Sequence, residues 1–346
     1  METVWYFLAA FVVSTYVVLD GFDLGAGVLH LFVARSNAER RQVIRSIGPV
    51  WDGNEVWLLA AGGTLFLAFP NVLATTLSGF YLPIMVVLWL LLLRALGIEL
   101  RAQSADPLWT SFWDAVFFGA STLLVIFFGA ALGNVIRGVS FDENGLFFAP
   151  LWTTFGVNGK VGILDWFTVL VAVQALVALT LHGALWLTWR TDAAVQARTA
   201  SLVRFLVPAG LGFAVLTSLL AFTVQPRLAP SLAARPWGAV FPLIALTALG
   251  AVPVLLKRGR HALAFLGSAA HLYGLLGAVA VGLFPALLPG RTVDQGLTTL
   301  NSASGSHGLT VGLLWWIPGI LLVLGCHYFV YSRLPKKISV HDSGLH

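Results

Sequence analysis

Apolar runs long enough to cross a bilayer recur nine times along the chain, separated by short polar connections. They occupy residues 4–32, 50–69, 77–98, 114–136, 161–189, 202–224, 237–256, 263–288 and 310–331. About 20 apolar residues are needed to span the hydrocarbon as a helix. None of the runs alternates apolar and polar positions as the strands of a membrane barrel do. A lipid-exposed backbone must satisfy its own hydrogen bonds, so each run predicts a helix. The pattern predicts an all-α polytopic membrane protein with nine transmembrane helices, organised as one integral membrane domain over residues 1–346. The first apolar run lacks a basic leading segment and continues into GFDLGAG, which argues against a cleavable signal. No internal repeat stands out.

The connections predict an orientation. Those after the first, third, fifth and seventh runs, with the C-terminal tail, hold fourteen of the 20 Lys and Arg residues. The opposite side holds five, Arg137, Lys160, Arg227, Arg235 and Arg291, and Arg94 lies within a run. Lys and Arg concentrate on the cytoplasmic side, so the N-terminus is expected outside and the C-terminus in the cytoplasm. An odd number of spans agrees. The connection 35–46, RSNAERRQVIRS, reads as a short basic helix solvated among headgroups. The longest connections of the other side, 137–160 and 289–309, are rich in Gly, Asn, Ser and Phe, and could cap that surface or touch a partner.

Composition narrows the class. The chain is 58% hydrophobic and only 10% charged, whereas a soluble domain carries roughly a quarter charged residues. The net charge of +5 is explained by the loop arginines and implies no nucleic-acid partner. The single cysteine, Cys326, allows neither an intrachain disulfide nor a thiolate metal cage.

The candidate chemistry centres on 48–63, GPVWDGNEVWLLAAGG. Pro49 suits a first helical turn. Asp52 and Glu55, three residues apart, share a face and sit where the helix dipole favours negative charge. From Val56 to Phe69 no charge follows, so an acidic mouth opens a spanning helix. The predicted topology brings Asp20 and Asp23 of the first run, Arg94 and Glu99 of the third and Asp114 of the fourth to the same depth. Ionisable groups at membrane depth face a bundle interior or water, and pair. Arg94 is the expected counter-ion for Asp52 or Asp23. Carboxylates with a charge partner are what a proton-entry route needs. The plainer alternatives are that Asp20 and Asp23 only hydrogen-bond neighbouring helices and that Asp114 caps its helix.

Glycines at 21 and 25, and at 129 and 133, form small-xxx-small pairs that let helices approach closely, and Gly27, Gly62 and Gly63 extend this around the acids. The histidines are scattered. His182, His271 and His327 lie within runs at a similar level, which leaves bis-histidine haem ligation open beside an ordinary core role. Trp5, Trp109, Trp152, Trp189 and Trp237 fall near run ends, where an aromatic belt is expected.

WDGNEVWL at 51–58, GFDLGAG at 21–27 and SGFYLPI at 78–84 resemble subunit II of the cytochrome bd quinol oxidases, including the variants called cyanide-insensitive oxidases. The likeness is dense over 20–101 and rests on length and hydropathy beyond. It implies two four-helix bundles plus a peripheral helix. It also implies membership of a complex in the bacterial inner membrane that oxidises quinol, reduces oxygen to water and generates proton motive force. Haems b and d would sit in the partner, subunit I, and none would be held tightly by this chain. The resemblance leaves room for a structural quinone and for small single-span accessory subunits. In the family the Asp of WDGN and the Arg closing the next span are thought to line a proton path from the cytoplasm toward those haems. They correspond to Asp52 and Arg94, and the GFDLG aspartate to Asp23. Asp20 and Glu55 join the candidate path by depth alone, since many relatives carry Gln at the latter position.

Two readings from other classes compete. A proton-coupled transporter could use the same acids, and predicts paired broken helices in two repeated halves. A stand-alone di-haem electron carrier could use His182 and His271.

Overall fold

The computed structural model describes residues 1–143, 145–159 and 161–339. Lys160, counted above on the sparsely basic side, and His341 and His346 lie outside them. Twelve α-helices dominate the described residues, with one two-stranded hairpin of β1 (Ala286–Pro289) and β2 (Gly296–Thr298). Eight helices are long and apolar enough to cross a membrane, and a bent pair makes a ninth span.

The spanning helices are α1 (Glu2–Val33), α3 (Trp51–Ala68), α5 (Tyr81–Leu100), α6 (Pro107–Arg137), α7 (Trp166–Arg190), α8 (Ala193–Val224), α10 (Val240–Lys257), α11 (His261–Leu283) and α12 (Ser306–Arg333). Helices α1, α3, α5 and α6 form one group and α7, α8, α10 and α11 a second; α7 joins them by lying against both α1 and α6. The most apolar stretch of α12 is only 6% buried, and the helix packs chiefly on α3. This is the expected arrangement of two bundles and a peripheral helix.

The glycine pairs explain the junction. A Cβ on Gly25 would stand 2.0 Å from the Leu179 carbonyl oxygen, and one on Gly183 2.3 Å from the Gly25 carbonyl carbon. Backbones of α1 and α7 therefore touch, which no larger residue permits. Gly129 and Gly133 bring α6 close to α7 as well, where a Cβ would stand 2.7 Å from Ala172 Cα and 2.8 Å from Thr168 Cα. Gly62 and Gly63 differ from expectation: a Cβ on either meets nothing within 4 Å, so they face outward from α3.

The second span bends. Helix α3 ends at Ala68, and α4 (Pro70–Gly79) leaves at 120°. The ring of Pro70 disfavours a helical residue before it, and Phe69 sits at φ −140°, ψ 60°. Ser304 satisfies the freed end, its N–H donating to Ala68 O at 2.9 Å and its hydroxyl to Leu67 O at 2.6 Å. At this same end Val139 N–H donates to Pro289 O and Ala149 N–H to Gly79 O, so the two long connections do cover one surface.

The basic connections meet at the opposite end. Helix α2 (Asn37–Ile47) starts with a Ser36/Glu39 capping box, so the helical reading of 35–46 holds. It is more than a solvated helix, because Gln42, Val43, Ser46 and Ile47 are buried. Gln42 Nε2 donates to Asp192 Oδ1 and to Ile338 O, and Trp186 Nε1 donates to Ser46 O. Pro49 lies in the turn before α3, whose first residue is Trp51, so it is not the first-turn proline expected. Trp5 is buried rather than part of a belt, its Nε1 donating to Leu309 O.

Candidate functional site

Four helices converge on a charged site inside the first bundle. From α1 come Tyr16, Asp20 and Asp23, spaced so that one face carries all three, at 5%, 0% and 1% exposure. From α3 come Asn54, fully buried, and Glu55, whose side chain is 24% exposed. From α5 comes Arg94, with no exposed surface, and from α12 comes Tyr331.

Arg94 is the hub. Its Nη1 donates to Asp20 Oδ1 at 2.5 Å and its Nη2 to Glu55 Oε2 at 2.8 Å. Asp23 is held differently, accepting from Asn54 Nδ2 at 2.7 Å, while Asn54 Oδ1 accepts from the Tyr331 hydroxyl at 2.7 Å. Two carboxyls thus share one guanidinium, with a third, Asp23, one turn from Asp20 and held by an amide. Asp20 Oδ2, Asp23 Oδ1, Tyr16 Oη and Arg94 Nε are buried with no hydrogen-bond partner. Buried polar atoms are nearly always paired, and groups left over mark sites with work beyond packing.

The pairing differs from the sequence expectation. Arg94 binds Asp20 and Glu55, not Asp52 or Asp23. Asp52 is exposed on the first turn of α3, at the mouth rather than in the cluster, and Glu99 is exposed too. Asp114 does not cap its helix. Asp106 does so, accepting from Leu108 and Trp109 N–H. Asp114 instead gathers His30 Nε2 at 2.6 Å, Arg40 Nη1 at 3.0 Å and Arg101 Nε and Nη2, the last at 3.2 Å. This separate hub ties α1, α2 and α6 together at the basic end. His30 was overlooked, although seven residues from Asp23 is two turns along the same face.

The histidines of the spans are engaged elsewhere. His182 uses Nδ1 on Ser268 Oγ at 2.7 Å and Nε2 on Val18 O at 2.9 Å. His271 Nδ1 donates to Ala245 O, and His327 Nε2 accepts from Trp57 Nε1 at 3.1 Å. Among the described residues no three His, Cys, Asp or Glu side chains group as metal ligands. With both ring nitrogens of His182 engaged, His182 and His271 do not make the pair a di-haem carrier needs. Nor is there a second bent pair to match α3 and α4 among the described residues, as a transporter of two repeated halves would show.

A multi-pass helical membrane protein with an acid-rich, arginine-centred site opening toward its basic end is the class these features define. The sequence profile of the family described as cytochrome bd terminal oxidase subunit II matches residues 1–334. The chain belongs to that family, and is a subunit of a bd-type oxidase. It is 32% identical to the "Probable cytochrome oxidase subunit 2" of Haemophilus influenzae, over 99% of this chain and 96% of that one. The "Cytochrome bd-I ubiquinol oxidase subunit 2" of Escherichia coli K12 is 30% identical over 97% and 96%. The "Cytochrome bd ubiquinol oxidase subunit 2" of Bacillus subtilis is 27% identical over 98% and 97%. A solved structure of bd oxidase from Geobacillus thermodenitrificans shares the fold, with a TM-score of 0.75 at 17% identity over 95% of this chain and 97% of that chain.

Proposed function

We propose that this chain is the haem-free subunit of a quinol:oxygen oxidoreductase, that it scaffolds subunit I, and that it supplies part of the path by which protons enter from the cytoplasm. Haems b and d, held by subunit I in this reading, would supply the electron transfer from quinol to oxygen. The residues of this chain hold and move protons. One observation carries the reading: Glu55, partly exposed, is joined through Arg94 to Asp20, which is wholly buried. Three carboxyls around one guanidinium can take up a proton at the exposed member and keep the charge of the others compensated. Asp52 stands at the mouth, where its charge attracts protons to Glu55.

The basic end faces the cytoplasm in this reading, with the N-terminus outside. A reporter fused to the C-terminus is expected to be active only in the cytoplasm, and activity only outside the membrane would reverse the route. Expressed without its partner, the chain is expected to show no haem signal in a reduced-minus-oxidised spectrum. The direct test is oxygen consumption per haem d in the assembled complex. Asp20→Asn and Glu55→Gln are each expected to lower it at least about tenfold, a barrier increase near 1.4 kcal/mol, with haem content preserved. Unchanged turnover per haem in both would reduce the cluster to a packing device.

A further inference from the structure

Asp20 and Asp23 lie one turn apart on α1 and have partners of opposite kinds. A cation holds Asp20, whereas only a neutral amide reaches Asp23. The orientation of that amide matters. Asn54 presents Nδ2 to the Asp23 carboxyl oxygen and therefore turns Oδ1 away from it. Oδ1 is buried with the rest of Asn54, and the hydroxyl of Tyr331 donates to it at 2.7 Å. Without that donor the amide could flip, and a flipped amide would set oxygen against oxygen.

We propose that Tyr331, on the peripheral helix, is a positioning residue for Asp23: by donating to Asn54 Oδ1 it locks the amide whose Nδ2 holds the Asp23 carboxyl. This deepens the proton-route reading and rests on it.

The attachment of α12 supports the assignment. Lipid is as apolar as leucine, so apolar contact alone does little to fix one helix on another in a membrane, and polar contacts and close packing do more. Between α12 and α3 there are two polar rungs. Trp57 Nε1 donates to His327 Nε2 at 3.1 Å, with the tautomer set by His327 Nδ1 donating to Val323 O at 3.0 Å. One turn further on, Tyr331 reaches Asn54. The rings of His327 and Tyr331 stack at 6.1 Å with planes 19° apart, but no hydrogen bond joins the two rungs. Only the second touches a group bonded to the acid. The two rungs can therefore be cut separately.

The test uses the assembled oxidase. Tyr331→Phe removes one oxygen atom and is expected to lower kcat per haem about fivefold, the worth of one neutral hydrogen bond. KM for quinol should stay unchanged and the solvent deuterium isotope effect on turnover should rise. His327→Leu cuts the other rung and is expected to leave turnover per haem and the isotope effect at wild-type values. In redox-difference infrared spectra, the carboxyl band that Asp23→Asn abolishes is expected to shift in Tyr331→Phe. Asn54→Ser combined with Tyr331→Phe should show no further loss beyond Asn54→Ser alone, which keeps the test open should either rung prove needed for folding. Wild-type turnover with an unmoved Asp23 band in Tyr331→Phe would overturn the proposal, and so would a His327→Leu variant that reproduces its isotope effect. The infrared shift separates this proposal from the route itself. A shifted band with unaffected turnover in Asp20→Asn and Glu55→Gln would keep the positioning and discard the route.

Discussion

Two buried arginines sit near opposite ends of the molecule, and their surroundings differ in one respect. Arg137, at the end of α6, is 1% exposed and pairs with Asp165, the N-cap of α7, which is wholly buried. Every side-chain polar atom of Arg137 and Asp165 is used. Arg137 also donates to Gly162 O at 2.9 Å and Asn134 Oδ1 at 2.7 Å, while Asp165 Oδ1 accepts the N–H groups of Phe167 and Thr168. No acid is in excess there, since Arg291 also lies near Asp165. At Arg94 three carboxyls crowd one base, and four polar atoms have no partner. A pair with no excess acid and both partners fully hydrogen-bonded makes a latch, here joining α6 to α7 across the long connection between them. Excess acid with unused atoms is what the proposed proton route calls for. Burial alone would not have separated the two.

The largest expected effect breaks the latch. Arg137→Leu leaves Asp165 buried without its counter-charge, and breaking a buried pair from one side costs about 3–5 kcal/mol. The variant is expected to assemble poorly and to unfold at lower temperature in detergent, while turnover per haem in whatever complex forms stays normal. Asp20→Asn should do the reverse: normal assembly and at least about tenfold slower turnover. If both variants lost assembly and turnover in step, the distinction between latch and route would collapse.

A smaller effect sharpens the comparison within the acid-rich site. Asp52 is exposed and makes no contact with Arg94, so its charge acts through solvent. Exposed charges contribute under about 1 kcal/mol. Asp52→Asn is expected to slow turnover per haem by no more than about fivefold, with the loss diminishing at high salt as screening shortens its reach. A loss equal to that of Glu55→Gln would show that Asp52 is drawn into the cluster in the assembled complex.

Much of the architecture was legible because lipid leaves the backbone few choices. Long apolar runs had to be helices, and the glycine pairs at 21/25 and 129/133 marked real close contacts. The bend at Phe69–Pro70 was missed because residues 70–79, PNVLATTLSG, mix small polar and apolar side chains and look like a connection. In the site, the sequence supplied depth but not rotation about each helix axis. Asp52 and Glu55 share a broad face, yet only Glu55 points at α5. Partners far apart in the chain left no local signal. Tyr331 and Asn54 are separated by 277 positions and His30 and Asp114 by 84, so neither pair could be read from spacing.

A third arginine–acid pair, lying outside the membrane-spanning helices on its acidic side, gives the smallest expected effect. Glu39 of α2 takes Arg198 of α8 in two hydrogen bonds of 2.8 and 3.0 Å, with Glu39 12% and Arg198 26% exposed. Those bonds hold the Glu39 carboxyl below its ordinary value of 4.5, with burial opposing them and the N–H groups of Arg35 and Ser36 assisting. A carboxyl whose folded value is lowered stabilises the fold in full above its unfolded value and ceases to do so as pH falls through the lowered one. Glu39→Gln is therefore expected to loosen α2 by about 1 kcal/mol at neutral pH, the range of a partly exposed pair, and by progressively less as the medium is acidified well below pH 4.5. Hydrogen exchange of the α2 amides at pH 7 and at pH 3 measures this directly. Faster exchange in the variant at pH 7, with the difference narrowing at pH 3, supports the assignment. An equal difference at both pH values would mean that Glu39 acts through the capping box with Ser36, and that its charge on Arg198 adds nothing.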